Sequence, residues 1–352
     1  RGSGSGPVAH RTTPATAYGP PLHPASYGVA VSARVVARVT IRPDRQMGVV
    51  AVPTIAHVEN LTATATERDV LIVRGEDAQE HLNSQLTQDI SGLGVGDSAW
   101  SFLCEAKSEI VALLRVTRSE PTVFVMDTEV GFGDRIRERI DGFLFRMDVS
   151  FESAVWPGVA WRGPGSEELE SDAPVHMHSP WPGVEGLDEV GPDVEMPDEV
   201  DRLTDDELDA LRIWLGWPSM ADIDEGATPA MTGIVNHTVS FTKGCYTGQE
   251  FIARVHYREA NPPRRLVQVG FHPCAKPTPG TPIVFDDEEV GTLTSVSNYQ
   301  PVALGYLKRS VEAPGEAHCA DTPACLGVLP ASLVSRQNEE PRGTKSSLSL
   351  GL

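Results

Sequence analysis

The apolar residues of this chain come in short alternating runs cut off by turn residues, and this pattern restricts the fold to a mixture of strands and modest helices. "VLIVRG" (70–75) reads as a buried strand ended by Gly75, and Trp100, Phe102 and Cys104 alternate along another. "IVALLRV" (110–116) and "TVFVMD" (122–127) are two more strands, joined by a turn around Ser119, Glu120 and Pro121, and "RMDVSF" (146–151) supplies a further one. Between them Ala78, Leu82, Leu86 and Ile90 recur every four residues behind a capping box of Asp77 and Glu80, which predicts a helix. Ile136, Ile140 and Phe143 mark a second helix. The unit they form, over 61–152, is α+β with much antiparallel pairing.

The rest of the 352-residue chain divides by composition. Residues 1–60 carry linker-like "RGSGSGP" and "YGPPLHPASYG" and read as poorly ordered, although "VAVSARVVARVTI" (29–41) is apolar enough to dock. Residues 153–202 are rich in Pro, Gly and acid and read as an excursion with few regular elements, in which His176 and His178 are solvated. A capping box of Thr204 and Glu207 opens a helix carrying Leu208, Leu211 and Leu215, closed by Pro218, within a second α+β part at 203–262. "RRLVQVGF", "TPIVFDDEEVGTLTSV" and "VALGYLKR" predict a small β-barrel at 263–312, and residues 313–352 read as a flexible tail.

Charge and cysteine usage narrow the function classes. The net charge of −20 repels phosphate backbones, so broad nucleic-acid binding is not expected. No run reaches the roughly 18 apolar residues of a membrane span, and no signal-peptide pattern is expected at the start. Cysteines at 104, 245, 274, 319 and 325 are odd in number and irregularly spaced, without a CxxC. That pattern suits neither a disulfide framework nor a compact metal site, and it predicts a reducing, cytoplasmic setting.

One stretch carries chemistry. "KGCYTGQE" (243–250) follows an apolar-alternating "TVSF", which reads as a strand running into a turn, and leads into "EFIARV" (250–255), which can begin a helix. Gly244 and Gly248 permit backbone conformations and close approaches closed to other residues. Cys245 would lie near a helix N-terminus with Lys243 and Arg254 nearby, and each lowers a thiol pKa. The alternative is a small buried cysteine in a tight turn, with Lys243 and Glu250 in a structural salt bridge.

The octapeptide resembles the K-G-C-[FY]-x-G-Q-E signature of the YgfZ family, folate-binding relatives of the glycine-cleavage T-protein (GcvT) that support iron–sulfur proteins. Lys243, Gly244, Cys245, Tyr246, Gly248, Gln249 and Glu250 fill its fixed positions, and "ARVHYREANPPRRLV" (253–267) continues as in actinobacterial members. "GEDAQEHLNSQLTQDI" resembles the family's first helix, with Thr87 and Asp89 at its T-x-D step. "LRIWLGWP" resembles its R-I-x-x-G-x-P segment, with Arg212, and "GTLTSV" and "ALGYL" resemble barrel strands. "CEAKSE" (104–109) resembles the C-D-A-K-G-[KR] turn: Cys104 and Lys107 match, Ser108 stands where the family has glycine, and Glu109 where it has a basic residue. Trp214 occupies the place of a T-protein glutamate near the pterin.

The resemblance covers about 65–310 and implies a GcvT/YgfZ-like three-subdomain ring with a C-terminal β-barrel. It implies a central cavity for tetrahydrofolate, faced by Cys245 as thiolate or redox group, with Lys243 and Arg254 as electrostatic support and Gln249 and Glu250 as organisers. Cys104, Lys107, Thr87, Asp89 and Arg212 would contact the cofactor. Partners would be folate and iron–sulfur client or assembly proteins, with effects on tRNA modification. Two other readings stand beside it. One is a folate-dependent aminomethyltransferase or demethylase using Glu105 or Glu109 for proton transfer. The other is a non-catalytic adaptor docking a basic partner through the acidic excursion.

Overall fold

The computed structural model describes residues 55–333, apart from 143, 145, 258–261, 320, 321, 331 and 332, together with two strands nearer the start. Those strands, β1 (Ser26–Ala30) and β2 (Val35–Thr40), join β3 (Ile55–Val58) in an antiparallel sheet. Segments with regular pairing therefore lie inside the stretch expected to be poorly ordered; the rest of that expectation falls outside the described residues.

The first unit is an eight-stranded sheet. Its elements are β4 (Thr62–Arg74), α1 (Ala78–Gln85), β5 (Ser98–Cys104), β6 (Ile110–Glu120), β7 (Val123–Glu129), α2 (Gly133–Asp141), β8 (Ser150–Arg162), β9 (Val175–His178), β10 (Gly186–Val190) and β11 (Asp201–Arg202). The order is β5-β6-β7-β4-β8-β10-β9, with β11 beside β4. One face packs on α1 and α2 through Leu71, Val73, Leu82, Phe102, Leu114, Phe124, Ile136 and Ile140.

Three expectations change here. The first helix stops at Gln85, because Leu86 turns extended (ψ 149°) and bridges to Leu103; Leu86 and Ile90 stay buried without being helical. Asp77 takes the N-cap position but makes no cap bond, its carboxylate accepting instead from the Asp148 N–H at 2.8 Å. The excursion expected from 153 is largely ordered: β8 pairs with β4 from Ser150 opposite Arg74 to Arg162 opposite Thr62. Pro157 and Gly158 look like strand breakers in sequence. Here Gly158 is needed by the sheet, since a Cβ there would lie 2.6 Å from the Glu189 carbonyl oxygen of β10. A buried charge bridge fastens β10 down, with Asp188 accepting from Arg115 of β6 and Arg162 of β8, both at 2.6 Å.

The second part holds α3 (Asp205–Leu215), α4 (Pro229–Thr232), α5 (Val235–Thr238) and α6 (Gln249–Tyr257). The Thr204–Glu207 capping box forms as the spacing predicts, but Gly216, left-handed at φ 74°, ends α3 before Pro218 is reached. "TVSF" is not a strand, because Thr238 closes α5 and Val239–Phe241 carry no sheet pairing.

The third part is a closed barrel of β12 (Arg264–Phe271), β13 (Pro282–Phe285), β14 (Glu288–Val296), β15 (Val302–Lys308), β16 (Gly315–Cys319) and β17 (Thr322–Gly327). Alternation divides its strands: Val267, Val269, Ile283, Leu293 and Leu307 fill the barrel, whereas Leu266, Leu304 and Tyr306 face outward into the main core. Residues 315–327, expected as flexible tail, supply the two strands that close it, since β17 pairs back onto β12. Gln268 locks barrel to helix by donating to the Ile213 and Trp214 carbonyls at 3.0 and 2.6 Å. No helix among the described residues is long and apolar enough to cross a membrane.

Candidate functional site

The octapeptide is held against the first unit by its lysine. Lys243 Nζ donates to three backbone carbonyls, Asn83 at 2.7 Å, Leu86 at 3.0 Å and Gln88 at 2.7 Å. These are carbonyls at and just beyond the C-terminal end of α1, where helical partners run out and positive charge is favoured. Three ammonium donors meet three acceptors. Burial pushes the Lys243 ammonium down to about 8, with Asp89 pulling the other way. Asp89 in turn accepts from the Ser91 hydroxyl and N–H, which hold its carboxyl below the usual range.

A second contact brings the octapeptide onto the 104–109 turn. Gly248 sits at φ 84°, and a Cβ there would lie 2.9 Å from the Glu105 carbonyl oxygen and 3.3 Å from Ser108 Cα. The turn is closed by Ser108 N–H to Glu105 O (2.9 Å) and Glu105 N–H to Glu109 O (2.8 Å). Ser108 is buried at φ 66°, in the left-handed region that favours glycine. Gly244 needs neither freedom: its φ is not positive and a Cβ would meet nothing within 4 Å.

Between these anchors Cys245 is exposed, which removes the reading of a packed cysteine. The salt bridge of that reading is also absent: Glu250 pairs with Arg254 one helical turn on, at 2.8 Å. Neither cation is thus directed at the thiol as the sequence suggested, because Lys243 points into the end of α1 and Arg254 is held to Glu250. Gln249 is the first residue of α6, whose opening turn is bonded to the Gly248 carbonyl from Phe251 and Ile252. Tyr246 is buried, with Lys243 Nζ 5.2 Å from its ring centroid.

The remaining sequence-derived residues fall into separate roles. Thr87 stitches segments: its hydroxyl donates to Thr238 O (2.6 Å) and accepts from Phe102 N–H (2.9 Å), while its carbonyl accepts from Ser240 N–H. Cys104 is fully buried and burial pushes its thiol far up, so it contributes packing and a carbonyl rather than a reactive sulfur. Lys107 is exposed on the 104–109 turn. Arg212 is saturated inside the protein, donating to Asp209 (2.7 Å), Trp217 O (2.7 Å), Asp222 (2.8 Å) and Ser295 Oγ (3.0 Å). It lies on a cavity of about 800 Å³ where the first sheet, α3 and the barrel meet, whose wall also includes Arg68, Trp181 and Ser295; no octapeptide residue belongs to that wall.

Two residues that the sequence did not single out complete the junction. Arg139 of α2 donates to Cys104 O at 3.0 Å and to Gln85 Oε1 at 3.3 Å, and pairs with Glu105 at 3.4 Å. Gln85 Oε1 also accepts from the Thr247 hydroxyl at 3.3 Å. No local sequence pattern marks either residue, since each acts across more than 30 positions.

No family model matches the chain. It is 29% identical over 216 residues to the tRNA-modifying protein YgfZ of Edwardsiella ictaluri, covering 54% of this chain and 65% of that protein. The YgfZ protein of Klebsiella pneumoniae is 26% identical over 223 residues, with the same shares. Both matches span just under two thirds of those relatives' own length. An aminomethyltransferase of Rubrobacter xylanophilus is 22% identical over 312 residues, 78% of this chain and 82% of its own. Among solved structures, aminomethyltransferase T of the Bartonella henselae glycine cleavage system superposes with a TM-score of 0.64 at 18% identity, over 78% of this chain and 87% of that one. The α+β architecture with a C-terminal barrel is therefore that of the GcvT/YgfZ fold.

Proposed function

We propose that this chain, a YgfZ-like family member, binds tetrahydrofolate and presents Cys245 beside it as a working thiol in the upkeep of iron–sulfur proteins, including those that modify tRNA. The observation that carries the reading is the docked octapeptide. Lys243 and Gly248 fix both ends of the segment against α1 and the 104–109 turn, and the cysteine between them is left exposed. A cysteine kept only for packing would sit inside, as Cys104 does.

The residues present fit a polar heteroaromatic ligand. Trp214 Nε1, Tyr246 OH and Tyr306 OH are buried in the main core without a hydrogen-bond partner among the described residues. Buried polar atoms of this kind ordinarily find a partner. A reduced pterin offers both donors and acceptors, and Tyr246, the neighbour of Cys245 in the octapeptide, is the residue we assign to meet it. The ligand would supply one-carbon or reducing chemistry. The chain's own part is to exclude water from the pterin and hold the octapeptide in register. Cys104, Cys245, Cys274 and Cys319 stand outside any disulfide, which suits a reducing cytoplasm.

The in-cell test is Cys245→Ala in a strain lacking the chromosomal copy. Loss of iron–sulfur enzyme activity at unchanged protein level is expected. Full activity in that strain would rule out the thiol role.

A further inference from the structure

We infer that Arg139 is a positioning residue that sets the register of the Cys245 segment from α2, acting through Gln85 and Thr247. The inference rests on the octapeptide being the working segment, as proposed above.

The geometry is a short relay. Ile136 and Ile140 bury one face of α2, and Arg139, with 7% of its side chain exposed, projects from the same helix toward the two turns. Its guanidinium spans three acceptors on two segments: the Cys104 carbonyl and Glu105 carboxylate of the 104–109 turn, and Gln85 Oε1 at the end of α1. A planar fork can serve such divergent acceptors at once, whereas a single ammonium cannot.

The consequence lies in the amide of Gln85, a residue only 5% exposed. Its Oε1 faces Arg139 and Thr247, and its Nε2 donates to Ser84 Oγ at 3.0 Å. A guanidinium has no acceptor, so the amide cannot flip without setting N–H against N–H. Arg139 thereby fixes the oxygen toward Thr247, two residues from Cys245. Thr247 also donates its backbone N–H to Ser84 O at 3.2 Å, so one end of α1 holds it by two bonds. The same cation grips the turn on which Gly248 rests. A ligand or partner that shifts the 104–109 turn is consequently felt at the Cys245 segment.

Hydrogen exchange tests this on the full-length protein. Arg139→Gln is expected to speed exchange in a peptide spanning 243–249 about tenfold, the scale of losing one or two net hydrogen bonds. Arg139→Lys should restore little of the protection. Thr247→Val should speed exchange less, and adding it to Arg139→Gln should change nothing further, because both cut one relay. Gln85→Leu, which leaves the Arg139–Cys104 bond intact, should reproduce the effect and serves in place of Arg139→Gln if that variant does not fold. Acceleration confined to α2 and 104–109, or additive effects of Arg139→Gln and Thr247→Val, would overturn the relay. Tetrahydrofolate affinity on the same proteins separates the two ideas. A wild type that fails to bind while the exchange pattern holds removes the folate reading and leaves the relay standing.

Discussion

Lys243→Met is expected to destabilise the protein by about 3–5 kcal/mol, read as a lowered urea midpoint at unchanged slope. The side chain is similar in length, so the loss is that of the donors. Asn83, Leu86 and Gln88 would each keep a carbonyl with no replacement for the ammonium. Each buried acceptor left without a partner costs about 1–3 kcal/mol, and water entering at the half-buried Asn83 and Gln88 offsets part of the sum. The pH dependence has a definite sign. The folded-state value of about 8 lies below the ordinary 10.5, so between these the unfolded chain holds a proton that the folded chain has released. Stability from this lysine therefore rises with pH across that window and is lost as pH falls through 8. The gap between wild type and Lys243→Met should widen from pH 8 toward 10.5.

Asp222→Ala should cost about 3–5 kcal/mol as well, for a different reason. Asp222 has no exposed surface and is the counter-ion of Arg212, which is itself buried. Its carboxylate also accepts from Ser219 N–H (2.9 Å), Thr294 Oγ1 (2.5 Å) and Ser295 Oγ (2.7 Å), so it ties the segment after α3 to barrel strand β14. Removing it strands a guanidinium in the interior and loosens the barrel from α3. Burial alone would raise the Asp222 carboxyl; Arg212 and the donors around it outweigh burial and hold it below the usual range. Its contribution is complete above the ordinary carboxylate pKa and is lost as pH falls through the lower folded value. Arg212→Ala, by contrast, should leave tetrahydrofolate binding per folded molecule unchanged, because the guanidinium spends its donors on Asp209, Trp217 O, Asp222 and Ser295. Calorimetric titration of the refolded fraction checks that.

How much of this was legible depended on the range of the interaction. The Thr204–Glu207 box could be read because both partners lie within four residues and the cap is local. Asp77 and Glu80 present the same spacing, yet the Asp77 carboxylate is taken by Asp148, 71 positions away, which nothing near Asp77 announces. The barrel strands were visible from alternation. Its closure by 315–327 was hidden, because "GEAHC" and "TPACLG" lack apolar runs and gain their order from β12 and β13. Pro157 and Gly158 disguised β8 for the converse reason: the sheet needs a residue without a Cβ where β10 crosses close.

At the candidate site, the sequence marks the segment, and the structure gives its charges partners other than the thiol. Lys243 looked like a modifier of the thiol; it is a clamp on the end of α1. Gly244 and Gly248 looked alike, and only Gly248 occupies a position that demands glycine. Ser108, standing where the family has glycine, takes the left-handed φ of 66° all the same, in a turn closed by its own N–H. Arg139 and Gln85 were invisible because their importance arises only once α1, α2 and two turns meet.

The central claim is tested most directly by anaerobic calorimetric titration of tetrahydrofolate into the full-length wild type, with Cys245 alkylation followed in parallel. The account predicts saturable binding at one site per chain and slower alkylation of Cys245 when the site is filled. No saturable heat, at concentrations that fill an aminomethyltransferase control, would contradict it.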